Sequence, residues 1–164
     1  MSKHAGGEAK SGLSPDFLDF IACLNERRVD FVLVGGYAMG VHGVIRATGD
    51  IDFVYRRTAR NVHDLCAAMH DFGAPLEVID QASLMTSGIV TQFGNPPYRI
   101  DLLNEIDGVS FLEVWNGATR TALDGQTIRV IGLRELKKNK NATGRKKDEE
   151  DLRRLTSRKT RKKR

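Results

Sequence analysis

Residues 31–37, FVLVGGY, join a short apolar, β-branched run to two glycines. The run Phe31–Val34 predicts a buried strand. Gly35 and Gly36 remove side-chain bulk where the chain leaves this strand, and residues 37–44 can then turn as a short helix. Backbone N–H groups at the start of such a helix favour an anion. This stretch therefore predicts a strand, a glycine turn and a helix that could hold a phosphate.

A pair of aspartates follows the glycine turn, and thirteen residues separate Gly36 from Asp50. Asp50–Tyr55 predicts the next strand, and its alternation places Asp50 and Asp52 on one face of the sheet. Two carboxylates on one face repel each other unless a cation lies between them. Mg²⁺ binds such oxygens together with substrate phosphates, so the pair predicts a magnesium site.

The order of these motifs resembles the polymerase-β-like nucleotidyltransferase superfamily, and in particular its small bacterial members similar to abortive-infection (AbiEii-type) nucleotidyltransferase toxins. The resemblance covers roughly residues 30–155. Four parts carry it: Gly35-Gly36, Arg46-Ala47-Thr48-Gly49-Asp50-Ile51-Asp52, Arg99-Ile100-Asp101-Leu102-Leu103, and Asn139-Lys140 followed by Gly144-Arg145-Lys146-Lys147-Asp148 and Asp151-Leu152.

The resemblance implies transfer of a nucleoside monophosphate from an NTP to a hydroxyl group. Two metal ions about 3.5–4 Å apart can serve such a displacement, and they would be Mg²⁺, or alternatively Mn²⁺. Asp50, Asp52 and Asp101 are the expected catalytic residues and metal ligands, and Asp101 could also take the proton of the acceptor. The expected nucleotide-binding residues are Gly35, Gly36, Arg46, Thr48 and Lys140. Arg46 could pair with the triphosphate or equally anchor one of the aspartates.

Length and charge suit one domain with an unusual C-terminus. The chain has 164 residues and a formal net charge of +5. Residues 1–133 carry a net charge of −5 and residues 134–164 a net charge of +10. We expect a disordered leader over residues 1–12, a nucleotidyltransferase domain over residues 13–157 and a disordered basic tail over residues 158–164. The basic end points to RNA or tRNA as a partner, although a solvated helix face would also account for it.

The two cysteines and the lack of a membrane span or a signal-peptide core predict a cytoplasmic protein. Cys23 and Cys66 fall at apolar positions of predicted helices and are expected to be reduced. No stretch has the length and apolarity of a membrane span, and residues 1–12 have no apolar signal-peptide core. His42 lies near the glycine helix, where it could contact a ligand or serve only the surface or core.

Hydrophobic periodicity predicts an α/β (α+β) fold, with helices packed on a mixed β-sheet. Helices are expected after Ser14 and Thr58, over residues 108–115 and from Leu133 onwards. Short strands are expected over residues 76–79, 89–93 and 98–103, and a hairpin turns at Asp124-Gly125. Residues 80–88 suit either a helical turn or a loop.

The sequence thus indicates an Mg²⁺-dependent nucleotidyltransferase with an RNA or tRNA end as the favoured acceptor. A protein hydroxyl and a small molecule such as an aminoglycoside remain open as acceptors. The resemblance adds a possible role as the toxin of a toxin–antitoxin or phage-defence system, with a cognate antitoxin as partner. The alternative is a catalytically inactive relative that binds RNA or protein. An aspartyl-nucleophile phosphatase is disfavoured, because polar residues 46–49 precede the aspartates in place of a hydrophobic strand.

Overall fold

In a computed structural model, the structure describes residues 12–45 and 49–163, and for residues 158–163 the backbone alone. Most of the predicted leader, residues 1–12, lies outside the described residues. Within the described ranges, seven α-helices, six strands and one 3₁₀ turn follow one another. The helices are α1 Pro15–Glu26, α2 Gly35–Val41, α3 Ala59–Phe72, α4 Gln81–Leu84, α5 Phe111–Gly117, α6 Leu133–Thr143 and α7 Lys146–Lys163. The strands are β1 Phe31–Val34, β2 Asp50–Tyr55, β3 Val90–Phe93, β4 Arg99–Leu103, β5 Thr119–Leu123 and β6 Gln126–Val130.

The strands form one mixed sheet in the order β3-β4-β2-β1-β6-β5. β2 runs antiparallel to β1 and parallel to β4. β6 runs parallel to β1 and closes a hairpin with β5. The predicted fold class, a mixed sheet with helices packed on it, is confirmed.

Helices α1 and α3 cover one face of the sheet with their apolar stripes. Ser14 caps α1 by accepting a hydrogen bond from the Phe17 backbone, and Gly73 ends α3 in the left-handed conformation, as predicted. Phe20 of α1 lies at the centre, with its ring centroid 5.4 Å from that of Phe93 and 6.0 Å from that of Phe53. This aromatic packing joins α1 to β2, which carries Asp50 and Asp52, and to β3, the neighbour of β4.

Two local predictions of secondary structure differ from the structure. The predicted strand over residues 76–79 is instead a 3₁₀ turn at Leu76–Val78, in which Leu76 is 74% exposed. The apolar residues of that run therefore do not form a strand of the described sheet. α5 begins at Phe111, three residues later than expected, because Ser110 and Glu113 form a reciprocal capping box.

The C-terminal segment consists of two helices. Gly144 adopts the left-handed conformation after α6, and the chain then turns into α7. α7 continues to Lys163, so it includes residues 158–163, which we expected to be disordered. In the described residues, none of the helices has the length and apolarity needed to cross a membrane.

Candidate active site

The three predicted carboxylates come together through the pairing of β2 and β4. In this parallel pair, Asp52 lies directly opposite Asp101, and Asp50 lies opposite Arg99. All four side chains project from the same sheet face, because successive strand residues alternate. Asp101 is nearly buried, whereas the Asp50 side chain is 40% exposed. The structure therefore brings the three carboxylates together, with Asp50 the more exposed and Asp101 the more buried.

The glycine turn lies against Asp52. Val34, the last residue of β1, is the register partner of Asp52, and Gly35 follows it with φ of +76°. A Cβ atom at Gly35 would collide with the Asp52 carboxylate. Gly35 is thus required both for its positive φ and for this close approach. Helix α2 begins at Gly35 itself, earlier than predicted, and no side chain of the described residues caps its first turn.

Arg99 connects two of the aspartates. Its Nε donates to Asp101 Oδ1 at 2.8 Å, and its Nη2 donates to Asp101 Oδ2 at 3.1 Å and to Asp50 Oδ2 at 2.9 Å. The first two bonds form the bidentate arrangement that arginine makes with carboxylates. Arg99 therefore neutralises part of the negative charge of these two aspartates.

Asp52 makes no such ion pair with any of the residues that the structure describes. Burial disfavours its anion, and the negative Asp101 beside it adds to that effect, as do its hydrogen bond to Asp101 and the charge of Asp50. Arg99 acts in the opposite direction, and the net result raises the pKa of Asp52 to about 7. A pKa that charged neighbours and burial raise so far is typical of a functional site.

The chemistry of the donors suits a hard divalent cation, because three carboxylates lie on one face of two paired strands. In this arrangement Arg99 bridges Asp50 and Asp101. Within residues 12–45 and 49–163, no group of three or more histidine, cysteine or acidic side chains is placed to hold a metal ion. Asp50 and Asp101 would have to exchange Arg99 for the cation.

Two predicted nucleotide-binding residues, Arg46 and Thr48, lie outside the described residues. The segments on either side of them are anchored. Before them, the Ile45 carbonyl accepts a hydrogen bond of 3.0 Å from Arg154 of α7. After them, Gly49 packs so closely on the Pro97 carbonyl that a Cβ atom would collide with it. The C-terminal helix thus contacts the segment that leads to Asp50.

Lys140 lies in a buried ionic cluster between α6 and α7. Its Nζ donates to Asp148 Oδ1 and to Asp151 Oδ2, each at 3.0 Å, and its side chain is 9% exposed. Burial alone would raise the pKa of Asp148, but hydrogen bonds from Thr143, Lys140 and Arg145 outweigh it and lower that pKa to about 2. The contacts of Lys140 are those of a residue that joins two helices, so its nucleotide contact stays a prediction.

The sequence analysis did not predict a role for Arg99, although its spacing from Asp101 could have indicated one. It stands two residues before Asp101 on one strand, so the two side chains share a face.

His42 contacts the protein backbone, with its Nε2 2.7 Å from the Ile131 carbonyl oxygen. Cys23 and Cys66 are free thiols, and burial raises the pKa of each.

Residues 14–164 match the family DUF2204, described as nucleotidyl transferase of unknown function. The chain belongs to this family. The match covers almost the whole chain and includes the glycine turn and all three aspartates, so the protein is a nucleotidyltransferase of the polymerase-β-like superfamily. None of the curated proteins matches its sequence.

Solved structures show the same fold. A proposed nucleotidyltransferase from Thermotoga maritima is 13% identical, with a TM-score of 0.60 over 94% of this chain and 99% of that one. The lincosamide antibiotic adenylyltransferase LnuA is 14% identical, with a TM-score of 0.59 over 88% of this chain and 97% of that one. The antibiotic-resistance factor ANT(2'')-Ia is 15% identical, with a TM-score of 0.58 over 87% and 81%. At these identities the likeness concerns the fold.

Proposed function

We propose that this nucleotidyltransferase moves a nucleoside monophosphate from an NTP to a hydroxyl group at an RNA end, with tRNA as the first candidate. One observation carries the proposal. Asp52 and Asp101 are register partners on parallel strands, and Asp52 lies against the glycine turn, so the carboxylates adjoin a backbone surface suited to phosphate.

Asp50, Asp52 and Asp101 would hold two Mg²⁺ ions, with Mn²⁺ as an alternative. Bound metal would activate the attacking hydroxyl and stabilise the leaving oxygen. Arg99 holds Asp50 and Asp101 in place, because its guanidinium contacts both. Arg99 would have to release them for these carboxylates to hold the metal ions.

The first turn of α2 would bind the triphosphate. Gly35 and Gly36 present backbone to the ligand without a side chain at the point of approach, and the amides of this turn are uncapped in the described residues. Arg46 and Thr48 would add contacts to the same phosphates. Lys140 would reach the nucleotide only by leaving Asp148 and Asp151.

The charge of residues 134–164, a net +10, supports RNA as the acceptor. A small-molecule acceptor is the second candidate, because two of the structural neighbours act on or confer resistance to antibiotics. A role as the toxin of a toxin–antitoxin pair would add an antitoxin protein as a partner.

The decisive experiment incubates the protein with each α-labelled NTP, Mg²⁺ and total RNA, and identifies what becomes labelled. We expect label in an RNA band with the wild type and none with Asp101→Asn. Label on an added aminoglycoside or lincosamide would replace RNA by a small-molecule acceptor. The alternative function, an inactive binding module, predicts no label on any acceptor and no binding of Mg²⁺ or Mn²⁺ in the presence of NTP.

A further inference from the structure

An arginine-rich hollow lies at the end of the central strands opposite the carboxylates. Gly35 and Asp50 lie where β1 ends and β2 begins, whereas the hollow lies where β1 begins and β2 ends. Its volume is about 500 Å³. We call it the arginine hollow, and its charged lining consists of Arg27, Arg28, Arg56, Arg60, Asp30 and Asp64.

The floor of the arginine hollow is rigid. Asn61, at the start of α3, is buried, and its side-chain oxygen accepts from the Asp30 backbone N–H at 2.7 Å. Its side-chain amide donates to the carbonyls of Asp30 at 3.1 Å and Arg56 at 2.8 Å. One amide side chain thus ties together the strand ends and the helix that surround the hollow.

Arg56 is oriented before any ligand arrives. Its Nε donates to Asp30 Oδ2 at 2.8 Å, and its guanidinium carbon lies 4.9 Å from the Phe111 ring centre and 5.1 Å from that of Trp115. Arg129 covers Trp115 at 3.7 Å. Guanidinium groups that are stacked on aromatic rings lose little entropy on binding and are common in nucleic-acid sites.

Arg28 has an unfavourable backbone conformation. It follows the last residues of α1 with φ of +56°, and the hydrogen bonds from Arg28 N to Asn25 O and from Val29 N to Leu24 O form a Schellman motif. Glycine is the usual residue at this left-handed position, because a Cβ atom is strained there. An arginine that is kept in a strained position at the edge of a hollow indicates a function for its side chain.

The charge of the arginine hollow is incompletely neutralised. Arg27 pairs with Asp71, and Arg56 pairs with Asp30. Arg28 and Arg60 are exposed and make no ion pair with any of the residues that the structure describes. Their guanidinium groups are therefore available to an anion at the opening.

From this combination we propose that the arginine hollow binds the phosphate backbone of single-stranded RNA. Arginine forks match phosphate oxygens, and Phe111 and Trp115 hold the guanidinium of Arg56 in place for such a contact. The inference goes beyond the proposed function, because RNA binding here does not require transfer. Asp52 and Arg56 are four residues apart on an extended segment, about 13 Å along the backbone.

The test compares Arg28→Gly/Arg60→Gln with the wild type in binding a 20-nucleotide single-stranded RNA, without NTP or Mg²⁺, at several salt concentrations. We expect affinity to fall at least tenfold and the slope of log K against log salt to become shallower by about 1.4, since each lost contact to a single strand contributes about 0.7. Arg28→Gly alone relieves the left-handed strain, so its melting temperature is expected to stay equal or rise. Weaker binding with an equal or higher melting temperature excludes unfolding as the cause.

The matched control, Arg57→Gln/Arg120→Gln, removes the same charge from exposed positions that lie outside the lining of the hollow and outside residues 134–164, and it keeps the basic tail. The RNA affinity of this control should fall less than threefold, and an equal loss in both double variants would overturn the inference in favour of a general charge effect.

Poly-glutamate and tripolyphosphate serve as competitors at equal charge. If either displaces RNA from the wild type as well as unlabelled RNA does, the hollow is an acidic-protein or free-phosphate surface and the RNA assignment fails. Because the assay contains no NTP, its failure leaves the transfer experiment unaffected.

Discussion

The residue that dominates the electrostatics of the candidate site is Asp52. It has Asp101 and Asp50 as negative neighbours, and it is covered by the glycine turn on the side where solvent could have stabilised its charge. Arg99 forms ion pairs with the other two carboxylates, whereas its effect on the Asp52 anion is outweighed by burial and the two negative neighbours. Its raised pKa and its position both follow from the register of β2 on β4.

Asp52→Asn is expected to abolish transfer and to stabilise the metal-free protein at pH 8. The folded pKa of about 7 lies above the ordinary value of 3.8, so the ionised group destabilises the fold, and this cost appears as pH rises from about 4 to 7. We expect a gain on the order of 1–3 kcal/mol in the free energy of unfolding at pH 8, which disappears towards pH 4. Urea unfolding in EDTA measures it, with the exposed Asp19→Asn as control. Normal transfer by Asp52→Asn would contradict its assignment as a metal ligand.

Gly35 and Gly40 offer a matched pair of substitutions in α2. Gly35→Ala should destabilise the protein by about 1 kcal/mol or more and weaken NTP binding, because its φ is positive and its Cβ would displace Asp52. Gly40→Ala should stabilise it by about 0.5–1 kcal/mol, since its Cβ meets nothing within 4 Å. Thermal unfolding and NTP titration of both variants provide the comparison. Equal NTP affinity in both would mean that Gly35 serves the turn alone.

Helices α6 and α7 are joined by ion pairs as well as by apolar contacts. Lys140 of α6 reaches Asp148 and Asp151 of α7, and Arg145 adds a bond of 2.7 Å to Asp148. Leu136 and Leu155 are buried on the same two helices. α7 in turn contacts the segment before Asp50 through Arg154, so the α6–α7 pair bears on the candidate site.

Lys140→Met is expected to destabilise the protein by about 3–5 kcal/mol, because buried Asp148 and Asp151 both lose their ion pair with Lys140, although Asp148 keeps Arg145. Chemical denaturation measures this loss. Lys138→Met is the control, since its partner Glu113 is exposed and the pair should contribute less than about 1 kcal/mol. If Lys140→Met kept its stability and lost NTP affinity, Lys140 would be a nucleotide contact, as its position in the family motif implies.

For the whole molecule, charge is separated between an acidic body and a basic end. The carboxylates and the arginine hollow lie at opposite ends of the central strands, and residues 134–164 add a net +10. An RNA acceptor would meet two basic surfaces, the hollow on the body and the C-terminal residues. Their contributions should add, because they lie on different elements.

Deleting residues 158–164 is expected to weaken RNA binding and to flatten its salt dependence, because six basic residues are removed. NTP binding and the melting temperature should change little, because the deleted segment contains no apolar residue. Filter binding across a salt series, together with a melting curve, measures both. An unchanged salt slope would show that the tail does not touch RNA, and would leave the arginine hollow and α6–α7 as the basic surfaces to test.

Residues that lie close together in the chain specify the elements around the site. Local spacing was sufficient for β1, the glycine turn, β2 with both aspartates on one face, the capped ends of α1 and α3, and the hairpin at Asp124-Gly125. These features depend on residues that are neighbours in the chain, so periodicity and cap residues carry them. The same reasoning failed at Leu76–Val78, where apolar residues do not pair with any strand of the described sheet.

The contacts between these elements could be read only from the tertiary structure. The register of β2 on β4 brings Asp52 beside Asp101 and Arg99 beside Asp50, and the packing of α7 on α6 buries Lys140. The arginine hollow likewise combines residues from the end of α1, the end of β2 and the start of α3. These contacts join residues distant in sequence, and their energies depend on burial and charge separation, which local patterns do not encode.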